Sequence, residues 1–131
     1  MTKYALVTGA NKGIGYEVVR QLAENGFEVF LGARNEDLGK EAVESLGKSN
    51  VTFVQLDISS SQSIQDSVRT IKGMTDHLDL LINNAGIALD FNIQPSKVEV
   101  GMLRDIFDVN FFGTFQMMQA YLPLLKKAEG S

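Results

Sequence analysis

The residues best suited to chemistry in this sequence form a glycine-rich octet, residues 8–15, which reads TGANKGIG. The octet follows the apolar run YALV at residues 4–7 and leads into a helical pattern at Ile14, Val18 and Leu22. A strand that turns sharply into a helix leaves the first backbone N–H groups of the helix unpaired, where the positive end of the helix dipole favours an anion. We therefore predict a diphosphate cradle, although a turn of this kind can also serve tight packing alone.

Each of the three glycines in the octet has its own expected role. Gly9 permits the tight turn, Gly13 lets the backbone approach a diphosphate, and Gly15 lets the helix pack close to the strand. Their spacing is G-x-x-x-G-x-G, not the commoner G-x-G-x-x-G. The octet is weak evidence by itself, so the elements around it must support the interpretation.

The composition argues against several other kinds of function. The 131 residues include no cysteine and a single histidine, so we expect no disulfide framework and no metal site. A net charge of −4 argues against nucleic-acid binding. Hydrophobic residues make up 44% of the chain without a long apolar run, and the N-terminus lacks a signal-peptide pattern. We expect a soluble, cytoplasmic protein of one domain, residues 1–131, with no membrane partner.

Strand and helix patterns alternate along the chain after the octet. The first helix ends near residues 25–26, and further strands are predicted at residues 28–33, 51–56 and 78–82. Two helices between these strands have the expected N-caps Asn35 and one of the serines 59–61, and the expected ends Gly47 and Gly73. The fourth strand is apolar enough to be buried on both faces. The pattern predicts an α/β fold, a Rossmann-type doubly wound parallel sheet of four strands in the order 3-2-1-4.

A long helical segment after residue 95 carries two apolar rows and includes Pro123, which should bend its last turns. It starts with a capping-box pattern, Ser96-x-x-Glu99. The first row is Leu103, Phe107, Asn110, Thr114, Met117, Tyr121 and Leu125. The second row is Phe112, Phe115, Met118 and Leu122. Because the two rows are wider than one sheet can cover, we expect part of this surface to meet another chain.

Four features occur in the same order as in the short-chain dehydrogenase/reductase family, which the sequence resembles over its whole length. They are the glycine octet, Asp57, the segment NNAG at residues 83–86, and Asn110. The resemblance implies that the octet holds the pyrophosphate of a nicotinamide cofactor, that Asp57 hydrogen-bonds the adenine, and that the NNAG segment borders a ribose. Asn110 matches the family's helix asparagine, whose main chain holds a water in a proton relay, and is the catalytic candidate. The candidate cofactor-binding residues are Gly9, Asn11, Lys12, Gly13, Ile14, Gly15, Arg34, Asp57, Ile58, Asn84, Ala85 and Gly86.

Several of these residues have a simpler alternative role. Asp57 could cap the turn that follows its strand, and Asn83 could be structural as readily as it could bind a ligand. His77 lies beside Asp76 before the fourth strand, and we expect it to be solvated. Tyr16 is expected to be structural.

The cofactor is expected to be NADP(H) in preference to NAD(H). The end of the second strand reads Gly32-Ala33-Arg34 and lacks the acidic residue that would hold free ribose hydroxyls. Arg34 is the expected clamp on the 2′-phosphate, and Lys12 can reach the same group, as the basic residue does in carbonyl-reductase-like members of the family. Both residues could instead be ordinary solvated charges.

The family's remaining chemistry rests on a serine after a fifth strand and on a Tyr-x-x-x-Lys turn, in which the lysine lowers the tyrosine pKa. Neither is found in this sequence, since Tyr4, Tyr16 and Tyr121 are followed four residues later by Thr, Arg and Leu. Two hypotheses remain. In the first, the chain belongs to an oxidoreductase that acts on carbonyl or alcohol substrates. In the second, it is a catalytically incompetent truncated form or fragment without the family's C-terminal catalytic half, and it only binds dinucleotide or assembles.

We also expect a homodimer through the C-terminal half, because the fourth strand is an apolar edge that no charge or proline blocks. Aggregation is the competing outcome of the same surface.

Overall fold

The computed structural model describes residues 2–84 and 113–129, and in this part strands and helices alternate as predicted. The elements are β1 (Tyr4–Val7), α1 (Gly13–Glu24), β2 (Glu28–Ala33), α2 (Glu36–Leu46), β3 (Val51–Gln55), α3 (Ser61–Lys72), β4 (Leu80–Ile82) and α4 (Thr114–Glu129). The predicted start of the long helical segment at Ser96, and the predicted positions of Asn110 and Phe112 within it, lie outside the described residues. Helix α4 continues through Pro123.

The four strands form one parallel sheet in the order β3-β2-β1-β4, which confirms the predicted topology. Tyr4 lies opposite Glu28, Val29 opposite Val51, and Ala5 opposite Leu80. This order follows from two β/α/β crossovers running outward in one direction and a third that returns past β1 to the other side. All four strands therefore end at the same edge of the sheet.

Helices cover both faces of the sheet, as the alternation of apolar residues along each strand requires. On one face, Leu6 and Phe30 pack in a cluster with residues of α3 and α4. On the other face, Val7, Val29 and Leu31 pack with residues of α1 and α2. Successive strand residues thus enter opposite cores, which makes this a doubly wound α/β fold.

The predicted helix caps are confirmed. The Asn35 side chain accepts a hydrogen bond from the Leu38 N–H (3.0 Å), and the Ser60 hydroxyl accepts one from the Ser63 N–H (3.1 Å). Gly47 ends α2 in the left-handed conformation (φ 62°), and Gly73 ends α3. Each cap satisfies backbone groups that a helix end leaves unpaired.

Strand β4 differs from its prediction in length and in burial. It begins at Leu80, because the Leu78 N–H donates to the Leu124 carbonyl of α4 (3.1 Å) and so does not join the sheet. Its three residues are each half-buried, so the expectation of burial on both faces is wrong. The strand lies at the edge of the sheet, where only β1 pairs with it within the described chain.

Helix α4 is held against α3 by a buried polar contact. The Ser67 hydroxyl donates to the Ile64 carbonyl (2.6 Å), and the Tyr121 hydroxyl lies 2.7 Å from the Ser67 oxygen. Because serine has a single proton, Tyr121 is the donor in the second bond. Over residues 2–84 and 113–129, no helix is long and apolar enough to cross a bilayer.

Candidate dinucleotide-binding site

The predicted binding residues that the structure describes lie at the carboxyl edge of the sheet. Asp57 follows β3, Arg34 follows β2, the glycine octet follows β1, and Asn84 follows β4. Since the strand order is β3-β2-β1-β4, these groups succeed one another along the edge in that same sequence. Ligands of open α/β sheets bind in the crevice outside the carboxyl ends of the strands, where the strand order reverses. The glycine octet occupies that point.

The backbone of the octet has the conformation that its glycines predict. Gly9 (φ 59°) and Gly13 (φ 65°) both adopt the left-handed region, which other residues enter only at a cost. Lys12 precedes α1 in an extended conformation, and its side chain makes no capping hydrogen bond. The tight-turn role of Gly9 is supported by this geometry.

The first turn of α1 offers hydrogen-bond donors without partners. Within the described part of the chain, the backbone N–H groups of Gly13, Ile14 and Gly15 have no acceptor, and the turn contains no acidic residue. A Cβ added at Gly13 meets no atom of residues 2–84 or 113–129 within 4 Å, so these residues leave open space beside this turn. Unpaired N–H groups at a positive helix end form a site suited to a phosphate group. The residues present therefore fit a diphosphate.

Gly15 is required by close packing behind this turn. A Cβ at Gly15 would lie 2.6 Å from Asn84 Nδ2, 2.8 Å from the Gly9 carbonyl oxygen and 3.0 Å from Ala10 Cα. The prediction that Gly15 allows close packing is supported, but the neighbours are the octet itself and Asn84, not the strand. Any side chain here would push the turn away from the end of β4.

Asn84 and Thr8 fasten the octet to the neighbouring strand. The Asn84 amide nitrogen donates to the Gly9 carbonyl (3.1 Å), and the Asn84 backbone N–H donates to the Thr8 hydroxyl (2.9 Å). The Thr8 N–H in turn donates to the Ile82 carbonyl (3.0 Å). Thr8 is not among the predicted site residues. A hydroxyl and an amide at the ends of two paired parallel strands are a signal that could have identified this link.

Asp57 makes the turn contacts that its simpler alternative role requires. Its Oδ1 accepts hydrogen bonds from the Ser59 N–H (3.0 Å) and the Ser59 hydroxyl (2.6 Å), and its N–H donates to the Ser63 hydroxyl (2.8 Å). Ile58 is only 5% exposed and belongs to the hydrophobic core. Its main chain, and not its side chain, is therefore the part that a ligand could contact.

Lys12, directly before α1, and Arg34, directly after β2, are both exposed. Neither takes part in an ion pair with any described residue. Arg34 directly follows β2, and its carbonyl accepts a 3.5 Å hydrogen bond from the Gln55 side chain. Ile14 is 77% exposed, and Asn11 is half-buried. The edge thus offers positive charge and an apolar side chain beside unpaired N–H groups.

Three predicted site residues, Ala85, Gly86 and Asn110, lie outside the described residues and stay predictions. Asn83, directly before Asn84, has a buried side-chain oxygen without a hydrogen-bond partner in the described part. Its structural and binding roles both stay open.

The tyrosines that the structure describes are engaged in the fold. Tyr121 is fully buried, and this burial raises the pKa of its hydroxyl to about 12, although the bond to Ser67 lowers the pKa in part. The Tyr16 hydroxyl lies 3.0 Å from the Ser45 hydroxyl and links α1 to α2, while Arg20 pairs with Glu17 and Glu24. The structural interpretation of Tyr16 is supported, and Tyr121 is unsuited to exchange a proton with a ligand.

His77 lies at the opposite, amino-terminal edge of the sheet and is half-buried beside two carboxylates, so the prediction that it is just solvated is wrong. Its side chain is 17% exposed, with Nδ1 2.9 Å from Asp76 Oδ1 and Nε2 3.1 Å from Asp79 Oδ2. The hydrogen bond to Asp76 raises the pKa of the imidazole, and the charge of Asp79 adds to this effect. Pairing of β4 with β1 builds the cluster, because the Tyr4 N–H donates to Asp79 Oδ2 (2.8 Å) and the Asp79 N–H donates to the Tyr4 carbonyl (2.8 Å).

A family model described as short chain dehydrogenase matches residues 3–131. The chain belongs to the short-chain dehydrogenase family. The resemblance in the sequence is thereby confirmed, and so is the Rossmann-type fold, since solved members share it. Menthone neomenthol reductase from Mentha piperita superposes with a TM-score of 0.85 at 30% identity, over 97% of this chain and 57% of that one. NADPH-bound carbonyl reductase from chicken fatty liver superposes with a TM-score of 0.82 at 30% identity, over 97% and 49%.

Curated relatives include oxidoreductases of plants and animals. The chain is 34% identical over 149 residues to (+)-neomenthol dehydrogenase of Arabidopsis thaliana, covering 97% of this chain and 50% of the relative. It is 41% identical over 128 residues to carbonyl reductase [NADPH] 1 of Mus musculus, covering 93% and 44%. The chain thus spans about half the length of these relatives.

Proposed function

We propose that this chain is the NADP(H)-binding part of an oxidoreductase that acts on carbonyl or alcohol substrates. The observation that carries the proposal is the first turn of α1, where the N–H groups of Gly13, Ile14 and Gly15 have no acceptor among the described residues and Gly13, like Gly9, is left-handed. Lys12 directly before this turn and Arg34 directly after β2 are exposed and have no ion-pair partner in the same part of the chain. A relative named carbonyl reductase [NADPH] and a solved relative with bound NADPH support the choice of cofactor.

The predicted site residues would divide the cofactor between them. The N–H groups of Gly13, Ile14 and Gly15 would hold the pyrophosphate. The adenosine half would lie toward β2 and β3, with the carboxylate of Asp57 and the main chain of Ile58 as its partners. The nicotinamide half would lie toward the NNAG segment at residues 83–86 and the main chain of Asn110. When bound, the nicotinamide carries the hydride of the reaction.

The preference for NADP(H) rests on the charge at the end of β2. A guanidinium binds a phosphate through paired, charge-assisted hydrogen bonds, whereas a carboxylate at this place would bind free ribose hydroxyls and repel the phosphate. Arg34 occupies the position, and nothing acidic precedes it in the segment Gly32-Ala33-Arg34. Lys12 adds a point charge from the octet.

Substitution of Arg34 by aspartate tests the cofactor preference. We expect the ratio of NADPH to NADH affinity to fall about 100-fold in Arg34→Asp, because charge-assisted contacts are lost and a repulsion is added. Affinities are measured by titrating the fluorescence of each reduced cofactor. Arg69→Asp is the matched control, since it makes the same charge change on exposed α3, away from the carboxyl edge. An unchanged ratio in Arg34→Asp would refute the assignment.

Catalysis is tested separately from binding. We expect NADPH to be oxidised in the presence of aldehydes or ketones by a protein that contains this chain together with the Tyr-x-x-x-Lys turn that its 131 residues lack. The alternative function, a protein that only binds dinucleotide or assembles, predicts cofactor binding without turnover over the whole substrate panel. The absence of binding to either cofactor contradicts both.

We further propose that the chain forms a homodimer through α4 and β4. Phe115, Met118 and Leu122 lie on one side of α4 and are between 47% and 57% exposed, and β4 lies at the sheet edge. A stable interface buries about 800 Å² per partner, which a helix face together with a strand edge can supply. Sedimentation equilibrium of the unaltered chain should give a dimer at micromolar concentration, Met118→Glu should give a monomer, and Leu38→Glu on α2 should leave the dimer intact. A monomeric unaltered chain contradicts the proposal.

A further inference from the structure

We propose that Gly113 is a positioning residue for the adenosine half of the dinucleotide. It acts through Ile58, whose main chain it holds in place. This inference rests on the proposed function, and in it Gly113 does not itself touch the ligand. Gly113 directly precedes α4 and is buried.

The contact between Gly113 and Ile58 leaves no room for a side chain. A Cβ at Gly113 would lie 2.7 Å from the Ile58 carbonyl oxygen and 3.2 Å from both Cγ1 and Cδ1 of Ile58. The φ of Gly113 lies outside the left-handed region, so the backbone conformation alone would accept alanine. Space, and not conformation, therefore requires glycine at this position. Because the closest atom belongs to the backbone, it cannot rotate out of the way.

The turn that contains Ile58 is held firmly on its other side. The Asp57 carboxylate accepts two hydrogen bonds from Ser59, the Asp57 N–H donates to the Ser63 hydroxyl, and the Ser60 N–H donates to the Asp57 carbonyl (3.0 Å). The side chain of Ile58 is fixed in the core. Gly113 thus contacts a turn that α3 already anchors.

Displacement of Ile58 must be passed on to Asp57. The Ile58 carbonyl shares its planar peptide with the Ser59 N–H, which donates to Asp57 Oδ1. A carbonyl that is forced to move by several tenths of an ångström therefore displaces this donor, and with it the Asp57 carboxylate. Asp57 and Ile58 are the proposed partners of the adenosine half. A change at Gly113 should therefore weaken adenosine binding, although Gly113 follows Ile58 by more than 50 residues in the sequence.

Binding of adenosine fragments to Gly113→Ala tests this inference. The probes are 2′,5′-ADP, which carries the 2′-phosphate, and ADP, which lacks it; affinities are measured by calorimetry. We expect folded Gly113→Ala to bind both probes about tenfold more weakly, as a misplacement of less than an ångström produces. Gly39→Ala is the matched control, because its Cβ would overlap the Phe53 ring in the contact of α2 with β3. It should lower thermal stability while leaving both affinities within about twofold.

A measurement on the unaltered chain covers the case in which Gly113→Ala does not fold. Binding of 2′,5′-ADP should slow amide hydrogen exchange at Gly113 as well as at Asp57 and Ile58. Protection confined to residues 57–58 and the octet would overturn the inference, and so would a folded Gly113→Ala with unaltered affinity for both probes. If the unaltered chain binds neither probe and neither NADPH nor NADH, the proposed function fails and this inference fails with it.

Discussion

Gly15→Ala is the substitution for which the structure allows the most specific prediction. The added Cβ would lie 2.6 Å from Asn84 Nδ2, 2.8 Å from the Gly9 carbonyl oxygen and 3.0 Å from Ala10 Cα. The Asn84 amide can rotate away only by giving up its hydrogen bond to Gly9. The other two atoms belong to the backbone of the octet, so the octet or the start of α1 must move.

The size of the effect follows from opposing terms. Overpacking of a close contact costs about 1–3 kcal/mol, and loss of the Asn84 hydrogen bond costs about 1 kcal/mol. Replacing glycine by alanine in a helix gains up to about 1 kcal/mol, and less in the first turn, where Gly15 lies. We expect a net loss of about 2 kcal/mol in the free energy of unfolding. Because the unpaired N–H groups move with the octet, NADPH affinity should also fall, by about tenfold or more.

Urea unfolding and NADPH fluorescence titration measure the two effects on the same protein. Gly73→Ala is the control, since Gly73 has an ordinary helical φ of −71° and its Cβ would lie 3.3 Å from the nearest atom, the Thr70 carbonyl oxygen. It should change the free energy of unfolding by less than about 0.5 kcal/mol and leave affinity unaltered. Wild-type stability and affinity in Gly15→Ala would refute the packing argument, and lower stability with unaltered affinity would refute the link between the octet and the cofactor.

Two further predictions concern the rest of the fold. The pKa of His77 is raised above 6.5, and the pKa of Asp76 is lowered below 3.8. The ion pair of the two side chains therefore stabilises the fold fully between pH 3.8 and pH 6.5. This stabilisation is lost as the pH rises through the folded-state pKa of His77, or as it falls through the folded-state pKa of Asp76. His77→Gln should therefore lower the urea midpoint near pH 5.5, with a difference that shrinks by about pH 8.5, and a pH-independent difference would contradict this assignment. Ser67→Ala should cost about 1–3 kcal/mol because it leaves the buried Tyr121 hydroxyl without an acceptor, whereas Tyr121→Phe should cost only about 1 kcal/mol because Ser67 keeps its bond to the Ile64 carbonyl. Denaturant unfolding of both single variants and the double variant checks the order, and equal costs would show that the donor assignment is wrong.

The sequence by itself determined the elements whose signals are local. A cap such as Asn35 acts on a backbone group three residues away, and Gly47 ends its helix through its own conformation, so both can be predicted from neighbouring residues. The sheet order also follows from local pattern, because repeated β/α units with right-handed crossovers admit few topologies. The octet was recognisable for the same reason, since its glycines meet a conformational need within the turn itself.

Only the tertiary structure decided which distant groups meet and how deeply each is buried. Three contacts join residues more than 50 positions apart: Thr8 with Asn84, Ser67 with Tyr121, and Gly113 with Ile58. The enclosure of His77 by two carboxylates depends on the pairing of β4 with β1. Periodicity tells which face of an element is apolar, but it does not tell which partner covers that face or where a strand stops. Leu78 shows the difference: it is apolar enough for the fourth strand, yet its N–H donates to the Leu124 carbonyl, so the strand begins only at Leu80. Long-range packing selects among the hydrogen-bond partners that a local pattern leaves open.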